Sequence, residues 1–110
     1  MDNKTLINRY LNNFITSSIV FGGLEPFEQF DELKDFIYDF RMNYKVLDDI
    51  IIYTGYKPEE IINEIKELEV FPNIIIKFGR YLPNKPSRYD DILGITLASD
   101  NQYAKYISKI

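Results

Sequence analysis

Apolar side chains recur along this chain first at helical spacing and later at strand spacing. Leu6, Ile7, Tyr10, Leu11, Phe14 and Ile15 form one stripe, which predicts a first helix ending near Ser17 and Ser18. Ile19-Val20-Phe21 reads as a brief strand or an extended connector, and Gly22-Gly23 as a turn.

A second helix is expected to start near Pro26, which suits a first helical turn, or at Asp31, a good N-cap. Phe27, Phe30, Leu33, Ile37, Phe40 and Tyr44 share one face. At about 100° per residue, Glu25, Glu28, Asp31, Glu32, Asp35 and Asp39 share an arc on the other side. Residues 46–53 fit two readings. Val46, Leu47, Ile50 and Ile51 suit a short helix, whereas Ile50-Ile51-Ile52-Tyr53 suits a buried strand. After the turn Thr54-Gly55-Tyr56-Lys57-Pro58, a further helix is expected from Pro58 to Phe71-Pro72, with Ile61, Ile62, Ile65 and Leu68 buried.

In the last third, Ile74, Ile76 and Phe78 alternate with their neighbours, as do Leu93, Ile95 and Leu97, and the two runs are predicted to pair as a hairpin. The loop between them holds Pro83 and Pro86. Asp100 is read as the cap of a final helix that packs Tyr103, Tyr106 and Ile107. The predicted class is α+β: a single globular domain, 1–110, of three to four helices on a small antiparallel β-hairpin or sheet, with a winged-helix-like arrangement left open.

Composition narrows the chemistry. Of 110 residues 45% are apolar and 15% aromatic, enough for a packed core without staples. There is no Cys and no His, which removes thiolate nucleophiles, disulfides, imidazole acid–base work and Cys/His metal sites. No serine sits in a nucleophile motif, and Gly22-Gly23 lacks the Lys-Ser/Thr of a phosphate loop. The pairs Asp48-Asp49 and Asp90-Asp91 are better explained by capping and solvation than by metal-assisted hydrolysis. No enzymatic activity, cofactor or metal is therefore expected. No membrane-length apolar run or secretory leader is read, and the expectation is a cytoplasmic protein.

Charge adds the one functional hint. The chain carries 17 acidic and 13 basic side chains, and the acids gather between Leu24 and Glu69 while the C-terminal part is mildly basic. Like charges at i,i+4 (Glu28–Glu32, Asp31–Asp35, Asp35–Asp39) cost about 0.2–0.5 kcal/mol each, and a cationic partner would relieve this cost. The expected function is a small non-catalytic protein-binding inhibitor of the immunity or antitoxin kind, bacterial or phage. It would mask the cationic surface of one basic, nuclease-like protein. The expected contact residues are Glu25, Glu28, Asp31, Glu32, Asp35, Asp39, Glu60, Glu64 and Glu67, with Tyr38 and Tyr56 as anchors. No membrane partner is expected, and the oligomeric state is left open. The alternative is a winged-helix-like DNA-binding regulator or replication accessory protein, with a phage structural subunit behind it. Residues 46–68 have the rough parts of a helix-turn-helix, and Lys77, Arg80, Lys85 and Arg88 could form a basic wing. Against it, Pro58–Leu68 carries four Glu and one Lys where phosphate contacts need cations, so nucleic acid is not the favoured partner.

Overall fold

The computed structural model describes residues 2–11, 18–21 and 25–109. The expected places of Phe14, Ile15, Ser17 and the Gly22-Gly23 turn lie outside the described residues. The fold is α+β. Among the described residues it has three α-helices, α1 (Asn3–Leu11), α2 (Phe30–Tyr38) and α3 (Ile62–Leu68). The strands are β1 (Ser18–Phe21), β2 (Asp49–Tyr53), β3 (Ile74–Phe78), β4 (Arg88–Asp90), β5 (Ile95–Leu97) and β6 (Tyr103–Ser108).

The main sheet runs in the order β1-β2-β3-β6. Its first three strands are parallel, in register as Ile19–Ile50 and Ile50–Ile74, and β6 closes the order antiparallel to β3. Parallel neighbours need a crossover, and α2 supplies the one between β1 and β2, α3 the one between β2 and β3. β2 and β3 are the central strands and bury Ile50, Ile52, Ile74, Ile75 and Ile76, which accounts for the apolar runs Ile50-Ile51-Ile52 and Ile74-Ile75-Ile76. On one face Ile50, Ile52, Ile74, Ile76 and Phe78 meet Leu33, Phe36, Ile37 and Phe40 of the α2 segment, Ile61 and Leu68 of the α3 segment, and Ile7 of α1. On the other face the Tyr106 hydroxyl reaches across β3 and donates to Asp49 of β2 at 3.0 Å. Beneath that reach Ile75 is 1% exposed. One step along, the Lys77 ammonium lies 4.8 Å from the centre of the Tyr53 ring.

Three expectations change here. Residues 49–53 are a strand, so the helix-turn-helix has no first helix and the winged-helix arrangement does not form. The final helix is instead β6. Its Tyr103-Ala104-Lys105-Tyr106-Ile107 fits either period, and an open edge on β3 decides for the strand. The runs 74–78 and 95–97 are both strands but do not pair with each other, since β5 pairs with β4 in a separate two-stranded sheet. The sheet is accordingly mixed rather than a simple antiparallel hairpin.

The second helix is built in three pieces. Glu25 caps a 3₁₀ turn, Pro26–Gln29, by accepting from the Phe27 N–H. The α-helix follows, with Asp31 inside its first turn rather than at its cap. A π-helical turn, Asp39–Asn43, ends it. Lys45 then takes a left-handed conformation, φ 56°, and the Val46 N–H returns to the Phe40 carbonyl. That is the closure glycine usually makes at a helix C-terminus.

The π turn carries Arg41, which is 4% exposed. Its guanidinium donates to the carbonyls of Pro72 at 2.9 Å, Val46 at 2.7 Å and Asn73 at 3.1 Å. Burial lowers its pKa, and the carboxylates of Asp49 and Asp48 oppose that shift. Asp48 in turn accepts from the Tyr10 hydroxyl at 2.5 Å. Burial and this contact together push the Tyr10 phenol far above its ordinary value.

Candidate functional site

Two surfaces stand out. The first is the outer face of α2 and α3. The apolar positions of α2 bury Leu33, Phe36 and Ile37, so its Asp31, Glu32 and Asp35 stand exposed in solvent. Lys34 donates to Glu67 at 2.8 Å, which places α3 beside α2. The Tyr38 ring, 52% exposed, rests edge-on against Phe71 just beyond α3. α3 therefore lies along the Lys34 and Tyr38 edge of α2, while Asp35 is turned to Asn3 of α1. Asp31, Glu32 and Glu64 make no hydrogen bond or ion pair among the described residues. Asp35 accepts from the Asn3 amide and Asp39 from the Asn43 amide, contacts that leave their charges uncompensated.

Other expected contact residues are engaged within the fold. The Glu25 carboxylate accepts from Thr54 Oγ1 at 2.9 Å and from the Gly55 N–H at 2.8 Å, besides Phe27. It ties the start of the second helix to the end of β2 and is a structural group rather than a docking one. Glu60 accepts from the Lys57 N–H in a capping box, and Glu67 is the partner of Lys34. Tyr56 is half-buried and donates to Glu28 at 3.4 Å. Burial and that neighbouring charge raise its pKa.

The second surface is a cleft of about 740 Å³ lined by Lys57, Glu59, Glu60, Arg80, Asn101 and Tyr103 among others. It lies beyond the carboxyl ends of β2 and β3, where open sheets with parallel strands form crevices. Gly79 turns the chain there at φ +100°, and a Cβ on it would sit 3.0 Å from the Asn101 carbonyl oxygen. The Asn101 side chain donates to the Arg80 carbonyl at 2.8 Å, while its own oxygen is buried without a partner. Sequence reasoning passed over this cleft because its lining comes from segments far apart in the chain. The glycine at 79 was the one local signal of a close backbone approach.

Comparison with protein families finds a match over residues 2–97, nearly the whole chain, to the 4Fe-4S single cluster domain. The chain belongs to that family. No curated protein matches it, and no solved structure does. Membership implies an iron–sulfur cluster, and the residues present do not fit one. Such clusters are held by cysteine thiolates, occasionally with histidine, and this chain has no Cys and no His. No group of three or more Asp and Glu gathers as a metal cage among the described residues. The side chains around the cleft offer ammonium, guanidinium, amide, phenol and carboxylate, none of them a soft donor. No described helix is long and apolar enough to cross a membrane.

Proposed function

We propose that this member of the family is a non-catalytic binding domain that docks on one basic protein and covers its cationic surface, in the manner of an immunity protein, an antitoxin or an antagonist of a nuclease. The observation that carries the reading is the adjacency of α2 and α3. Asp31, Glu32 and Asp35 stand exposed on α2 with Asp39 in the turn beyond it, Glu64 lies on α3, and the Lys34–Glu67 ion pair joins the two helices. Tyr38 supplies an exposed aromatic beside them. Dense like charge of this kind steers a cationic partner and rejects acidic ones. The docking residues are thus Asp31, Glu32, Asp35, Asp39, Glu64 and Tyr38, flanked by Glu28.

The test pairs the wild-type chain with the double variant Asp31→Lys/Asp35→Lys in affinity capture at low and high salt. The expected result is one basic protein retained by the wild type, released by salt and lost on charge reversal. Equal capture of the same proteins by both chains at both salt levels would refute the reading.

A further inference from the structure

Family membership and side-chain inventory disagree, and the fold shows how the disagreement is resolved. We infer that this chain is a cluster-free member of its family: it holds no [4Fe–4S] centre through its own residues and folds without iron. The first ground is ligand chemistry. Four iron atoms in a sulfide cube need several soft, anionic donors converging on one point, and the chain has no thiolate, its only sulfur being the neutral thioethers of Met1 and Met42.

The second ground is the state of the carboxylates near the carboxyl ends of the strands, of which only Glu59 stands unengaged at the cleft, and one carboxylate cannot hold a four-iron cluster. Glu25 already accepts from Thr54, Gly55 and Phe27. Glu60 closes a capping box. Recruiting either to iron would dismantle a turn. The third ground is cohesion. Where a metal organises a small domain, removing it unfolds the chain. Here Phe36, Ile37, Phe40, Ile50, Ile52, Ile74, Ile76 and Phe78 make a continuous apolar core between helices and sheet. The buried charges Arg41 and Asp90 are met by protein groups. The described residues thus cohere through apolar packing and their own hydrogen bonds.

The inference is independent of the docking surface on α2 and α3. It is tested by anaerobic incubation of the full chain with ferrous iron, sulfide and a thiol reductant, followed by desalting. Iron, acid-labile sulfide and visible absorption are then measured on the eluted protein, and thermal unfolding is compared with and without a strong chelator. The expected result is no co-eluting iron and sulfide, no visible charge-transfer band and an unchanged midpoint in chelator. Weakly held iron without sulfide, stripped by chelator at no cost in melting temperature, agrees with it. Iron and sulfide in stoichiometric amounts on the folded chain, or a midpoint that falls when metal is removed, would overturn it and leave the docking experiment unaffected.

Discussion

Replacing Asp90 tests how the edge of the main sheet is finished. Lys77 turns its carbonyl toward β2, where it accepts from the Thr54 N–H at 2.9 Å. Opposite it on β6, Ala104 consequently points its N–H at the outer edge. Asp90, 3% exposed, takes that donor at 2.8 Å with one oxygen and the Leu93 N–H at 2.9 Å with the other. Hydrogen bonds to a charged acceptor contribute about 1.5–3 kcal/mol, and an orphaned buried N–H costs about 1–3 kcal/mol. Leu93 is only half-buried, so water can replace its partner, whereas the buried Ala104 contact has no such substitute. Asp90→Ala should therefore lose about 3 kcal/mol, a large part of the stability of a small domain. Asp90→Asn keeps one acceptor and turns a donor toward the other N–H, so its loss should be smaller, about 2 kcal/mol. Urea unfolding followed by circular dichroism gives both values, provided the slope stays unchanged. Amide exchange at Ala104 should accelerate in the alanine variant beyond the global change. A cost for Asp90→Ala below about 0.5 kcal/mol, or unaltered exchange at Ala104, would refute this account of the edge.

Arg41→Lys keeps the charge but cannot reach three carbonyls with one planar fork, and should cost about 2–3 kcal/mol in the same unfolding assay. Gly79→Ala forces a Cβ onto a positive-φ site 3.0 Å from a backbone oxygen. It should cost about 1–3 kcal/mol, read as a lower melting midpoint. Burial and the contacts to Asp48 and Asp49 raise the Tyr10 and Tyr106 phenols above 10.0 in the folded state. The unfolded chain then releases those protons first, so stability is intact below pH 10 and falls as pH climbs past it. Burial lowers Lys77 from 10.5 and gives an opposing rise just beneath that value. Denaturation midpoints measured from pH 8 upward should fall less steeply in Tyr10→Phe than in the wild type, and equal slopes would show that Tyr10 is not linked.

The second helix was the most legible part of the chain, because its signal is contained within it. Leu33, Ile37 and Phe40 are buried and Asp31, Glu32 and Asp35 exposed, as their spacing demands. Phe36, also buried, widens the apolar stripe beyond the expected residues. The two readings of residues 46–53 could not be separated locally, since a run of isoleucines satisfies a buried strand and a buried helix alike. The pairing errors have a different origin. Alternation at Ile74–Phe78 and Ile95–Leu97 marks both as strands but carries no information about neighbours. The parallel partner of β3 lies on the far side of a crossover, and its antiparallel partner was hidden in a segment read as a helix. For the docking surface, charge pattern located the carboxylates but not their obligations. Only the fold shows that Glu25 serves Thr54 and Gly55 while the Asp31 side chain, six residues later, serves none of the described residues.

The Arg41 guanidinium draws together carbonyls from two separate stretches, residue 46 on one and residues 72 and 73 on the other, at the amino ends of β2 and β3. At the opposite end Glu25 ties the second helix to β2, but among the described residues no side-chain hydrogen bond joins the end of β2 to the end of β3. That end is spanned by loops between Gly79 and Asn101 and by a cleft whose walls belong to different segments. A domain riveted at one end and seamed at the other breathes asymmetrically. Its low-energy excursions should splay the carboxyl ends of the strands while the amino ends act as a fulcrum, and slow amide exchange should map that gradient along each strand.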